Sequence, residues 1–149
     1  MVKLYFPVIF RKQMKCSQYP NFIGLGEYDG DAGVDGEISG CKFHGTLAGH
    51  GTTSRWYFDT IHFHVICDKI DDAIQATSAI EKALRDKELQ FEIPYYELTV
   101  KIPFMLPIHV TVSNEPCKYE ILSENVSIQC EKLEQIEACL LYTSPSPRD

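Results

Sequence analysis

Apolar and polar positions alternate most strictly in Trp56 to Asp68, WYFDTIHFHVICD. Ile61, Phe63, Val65 and Cys67 share one parity, while Phe58, Thr60, His62, His64 and Ile66 share the other. Strand side chains point alternately to the two faces of a sheet, so this pattern predicts a strand, and its β-branched and aromatic content places it at the centre of the sheet. Residues 2–10, VKLYFPVIF, predict a first strand, with Pro7 acceptable at an edge or a bulge. Cys41 to Ala48 alternates again, with Phe43 and Leu47 opposite in parity to His44 and Thr46. The Gly-rich GHGTTS that follows makes residues 41–68 an expected antiparallel hairpin.

The period changes after Asp68. Ile70, Ala73, Ile74, Thr77, Ile80, Ala83 and Leu84 recur at helical spacing, with Asp68, Asp71 and Asp72 at the end where a cap and negative charge are favoured. Glu81 and Arg85 stand at the spacing of a favourable helical pair. A helix over about 70–86 with one apolar stripe covers one face of a sheet. Residues 89–93 and 96–102 alternate on opposite parities, so a break falls at Pro94 and Tyr95. Further strands are expected at 108–113, with Ile108, Val110 and Val112 inward, and at 118–122 and 125–130. Residues 131–138 begin a helical pattern. Between Lys15 and Gly40 the chain is rich in Gly, Asp and Tyr, and its Asp-Gly steps at 29–30 and 35–36 predict tight turns. Asp29, Asp31 and Asp35 lack the spacing and closing Glu of a calcium loop. The expected fold class is α+β: an antiparallel sheet of about six to eight short strands with one main helix packed on one face.

The last eleven residues, CLLYTSPSPRD, resemble the in-frame translation of a transposon adapter end used in sequencing libraries, a resemblance that covers Cys139 to Asp149. It implies a single α+β domain over 1–138, cut short at its C-terminus, followed by a non-native tail over 139–149 that makes no buried contacts.

Charge narrows the function. A formal net charge of −7 with dispersed Lys and Arg argues against a nonspecific nucleic-acid binder or an anionic-membrane binder. No apolar run reaches membrane-span length and no signal-peptide pattern opens the chain, so a cytoplasmic location is expected. Cysteines 16, 41, 67, 117, 130 and 139 form no C-x-x-C pair, and scattered reduced thiols are the expectation.

The histidines carry the candidate chemistry. His44, His62, His64 and His109 lie in expected strands on the parity opposite to most aliphatics, so in one sheet they gather on the face that the helix leaves open. HGTL at 44–47 and HVTV at 109–112 resemble the paired motifs of the two-histidine phosphoesterase superfamily, whose members cleave cyclic phosphodiesters. The resemblance implies His44 and His109 as acid and base, with Thr46 and Thr111 holding phosphate oxygens. Gly45 departs from the motif's usual apolar residue, and a single helix lies between the two motifs. His62-Phe63-His64 presents two imidazoles on one side of a strand, a pair able to hold a divalent metal with His44, His109 or Asp59 completing the shell. The same HFH resembles the metal signature of HUH nucleases, which implies a tyrosine nucleophile at Tyr95 or Tyr96. No other cofactor motif is present. The third expectation is a binding or assembly module in which Trp56, Tyr57, Tyr95, Tyr96 and the histidines take a protein partner or a second copy on the open face.

Overall fold

The computed structural model describes residues 1–15, 24–28, 33–50, 57–103, 105, 107 and 109–143. Trp56, Cys16, Asp29, Asp31, Ile108, the side chain of His50 and the tail from 144 onward lie outside the described residues. The described residues form ten strands: β1 (Val2–Lys15), β2 (Glu27–Tyr28), β3 (Gly33–Ile38), β4 (Cys41–His50), β5 (Tyr57–Cys67), β6 (Phe91–Glu92), β7 (Tyr96–Lys101), β8 (Val110–Asn114), β9 (Cys117–Leu122) and β10 (Asn125–Cys130). Two helices accompany them, α1 (Ile70–Asp86) and α2 (Leu133–Thr143). The α+β class and the main helix are as the periodicity predicts. The strand count exceeds six to eight because β2 and β6 are pairings of two residues each. Among the described residues no helix is long and apolar enough to cross a membrane.

All pairings are antiparallel, in the order β2-β3-β4-β5-β1-β7-β10-β9-β8, with β6 also on β1. The middle of this order is β1 rather than β5. Pro7 is tolerated there because pairing to β7 stops at Tyr5 and pairing to β6 begins only at Ile9, so around Pro7 the strand has a partner on one side. The hairpin of β4 and β5 forms as expected, but Phe58 is fully buried although its parity assigned it to the histidine face. Thr60 faces Ala48 and Phe58 faces Gly49, so Asp59 is an extra residue that reverses the phase.

The helical stripe meets the expected face. Ile74, Ile80 and Leu84 are buried in one cluster with Leu4, Phe6, Ile61, Phe63, Val65 and Leu98. Lys69, not Asp68, stands at the N-cap, and Asp71 and Asp72 occupy the first turn. Glu81 accepts a hydrogen bond from the hydroxyl of buried Tyr96, and the four-residue ion pair that forms is Lys82 with Asp86 at 2.8 Å. α2 adds Leu133 and Ile136 to the same cluster, on the same side of the sheet as α1. Val112, expected inward, is half exposed: its row on the helix side runs from Leu98 through Ile128 and Tyr119, past α2. α2 continues beyond residue 138, and the Cys139 thiol meets the Tyr119 hydroxyl at 2.8 Å while packing against the core. The expectation that nothing after 138 touches the core does not hold at that residue.

Two further expectations are corrected. Asp35 and Gly36 lie inside β3 rather than in a turn, which falls instead at Ser39 and Gly40, both with positive φ. Gly36 is required by contact, since a Cβ there would meet the Phe43 ring at 2.6 Å. The cysteines are not scattered thiols: Cys41 bonds to Cys67 and Cys117 to Cys130. Each pair stands directly opposite across a hairpin, with Cα atoms 4.9 and 4.2 Å apart, a register that sequence spacing alone does not display. Disulfides persist in oxidising surroundings, so this pairing gives no support to the reducing compartment that scattered thiols implied.

Candidate functional site

With both helices on one side, the other face of the sheet carries no helix or second sheet among the described residues. Because register is continuous, residues of one parity line up across the strands. One row runs Asp35, His44, His64, Tyr5, Glu97, Gln129, Lys118, Ser113 through eight strands. The adjacent row runs Glu37, Lys42, Ile66, Lys3, Thr99, Ser127, Glu120, Thr111. Between them a trough of about 580 Å³ is lined by Lys3, Tyr5, His64, Glu97, Thr99 and Ser127, among others.

Three of the four strand histidines gather here. His44 faces His64 directly across β4 and β5, and His62 lies two residues from His64 on the same side. The His44 Nδ1 and the Asp35 carboxylate are 2.5 Å apart, and the His62 Nδ1 and the Tyr5 hydroxyl 2.7 Å apart. The His64 ring lies against that of Tyr5 with centroids 4.9 Å apart, and its Nδ1 is enclosed without a hydrogen-bond partner. Burial first, then Lys3, His44 and His62, lowers the pKa of His64 below the ordinary histidine value. Burial first, and then Tyr95, raises that of the Tyr5 phenol, which stays protonated.

His109 does not join them. It stands beside the first residue of β8, six strand spacings from β4, about 29 Å along a sheet at ~4.8 Å per strand. There its Nε2 contacts Glu120 at 2.8 Å and the Thr111 hydroxyl at 3.2 Å. His44 with Thr46 and His109 with Thr111 therefore occupy opposite ends of the open face. The aromatic expectation divides as well. Tyr95 reaches the face, with its ring 6.0 Å from that of Tyr5, whereas Tyr96 is buried on the helix side and Tyr57 lies beside Lys15. Asp59, at the bulge, accepts from the Thr60 hydroxyl at 3.0 Å.

Two residues of this site were not legible as such. Tyr5 sits in a strand read for its aliphatics, and Asp35 in a stretch read as a turn. The signal for both was parity: once residues 33–38 are read as a strand, Asp35 falls opposite His44. No protein-family model and no curated protein matches the chain.

Proposed function

We propose that this chain is a binding or assembly module that takes a partner protein or a second copy of itself on the uncovered face of the sheet. The observation that carries the reading is the unbroken row from Asp35 to Ser113 across eight strands, half-buried at Tyr5 and His64 with no helix or second sheet of the described residues above it. A sheet packed on one side leaves its other face wet, paired or ligand-bound. Tyrosine and histidine offer an apolar body with a polar tip, which suits a contact that forms and parts in water.

The test places charge on the face. Thr99→Arg with Ser127→Arg puts two cations in the trough, and Gln75→Arg puts one on the exposed side of α1 as a control. Sedimentation velocity across a concentration series, with recovery of a tagged chain from its native host, should detect an assembly that the double variant loses and the control keeps. Assembly unchanged in the double variant, or none in the unsubstituted protein, would remove the reading.

A further inference from the structure

The ring nitrogens on the uncovered face are used unevenly. His44 Nδ1 is engaged by Asp35, His62 Nδ1 by Tyr5, and His64 Nδ1 is enclosed. In each ring Nε2 is the nitrogen that these contacts leave unused. A carboxylate accepting from Nδ1–H fixes the tautomer with an Nε2 lone pair and raises the basicity of that nitrogen, the arrangement found behind metal-bound histidines. Tyr5 can serve His62 in the same way, because a phenol oxygen can accept from Nδ1–H at the observed 2.7 Å. Backbone spacing brings the rings within reach. His44 and His64 are a direct cross-strand pair, which sets Cβ atoms about 5 Å apart, and His62 is the diagonal neighbour of His44 at about 7 Å.

We propose that His44, His62 and His64 bind one transition-metal dication of the zinc or nickel class through their Nε2 atoms, with Asp35 and Tyr5 as positioning residues. The proposal deepens the reading of the uncovered face as the working surface and rests on it. Imidazole ligands select this class over calcium and magnesium, which require oxygen donors. Side-chain rotation must bring the three rings together. Among the described residues, the one trio of such ligand atoms already within 4.8 Å is Cys117, Cys130 and Cys139, two of which are joined as a disulfide. The His44 side chain, 46% exposed, has room to swing. A tetrahedral ion held by three histidines keeps its fourth position for water or for a side chain of the bound partner.

The test is calorimetric titration of the full chain with zinc chloride, its free thiols alkylated beforehand, and with magnesium chloride as control. The expected result is one equivalent of zinc and no binding of magnesium. His44→Ala, His62→Ala and His64→Ala should each weaken zinc by at least about tenfold, Asp35→Asn by about tenfold, and His109→Ala not at all. Circular dichroism checks that each variant folds, with His64→Phe replacing any unfolded His64→Ala. Absence of zinc binding, or binding that survives loss of all three histidines, or equal loss in His109→Ala, would overturn the proposal. Should zinc fail to bind while Thr99→Arg with Ser127→Arg still abolishes assembly, the metal proposal falls alone. If zinc binds and assembly is absent, the metal proposal stands and the module reading falls.

Discussion

His44 and His64 face each other across β4 and β5, and on either side of them Asp35 and Tyr5 complete a four-strand polar line on the side of the sheet opposite α1 and α2. That line exists because two hairpins and β1 share one continuous register, so a side chain's parity in sequence becomes its face in space.

His64 makes stability depend on pH. Its folded-state pKa lies below the ordinary 6.5, chiefly through burial, so the unfolded chain takes up the proton first as pH falls. This contribution is present above about pH 6.5 and is lost as pH drops through that value toward the folded pKa. Chemical denaturation at a series of pH values in metal-free buffer should show the loss, and His64→Gln should flatten that part of the profile. A steeper profile in the variant would contradict the assignment.

Phe63 is fully buried between Phe6 and Phe43, with ring centroids 5.3 and 5.9 Å away. Truncation to alanine removes those contacts and leaves a cavity, so Phe63→Ala should cost about 3 to 5 kcal/mol in urea denaturation. A cost below about 1 kcal/mol would mean that the core lies on the other face.

The strand and helix pattern was legible because alternation and helical spacing are local, and α1 matches the expected range 70–86. Bulges were not. One extra residue at Asp59 turned Phe58 into the core, and nothing in its residue type marks it. The disulfides were not legible from local motifs: Cys117 and Cys130 flank the turn after β9 symmetrically, but Cys41 and Cys67 fall opposite each other only once the extra residue at Asp59 is counted. The histidine face was legible from parity. Which histidines meet was not, because strand order is decided by long-range pairing and placed β4 and β8 six spacings apart.

The cystines predict a thiol count. Among the described residues four cysteines are paired, so alkylation of unfolded, unreduced protein should leave at least four of the six unmodified. Closing loops of 26 and 13 residues restricts the unfolded chain, and replacing either pair by alanine should cost about 3 kcal/mol. Modification of all six thiols without reductant would show that neither bond forms.

Tyr96 ties the sheet to α1 through its hydroxyl on Glu81. Tyr96→Phe keeps the packing and removes the donor, so it should cost about 1.5 kcal/mol by thermal denaturation. A neutral or stabilising effect would show that the bond contributes nothing to joining helix and sheet.

The central claim is that the uncovered face is the working surface. Its most direct test is site-specific photo-crosslinking in the native host, with benzoylphenylalanine at Thr99 on that face and at exposed Gln75 on α1. The account predicts a discrete adduct, with a second copy or with one other protein, from position 99 and none from position 75. No adduct from position 99, or the same adduct from both, would contradict it.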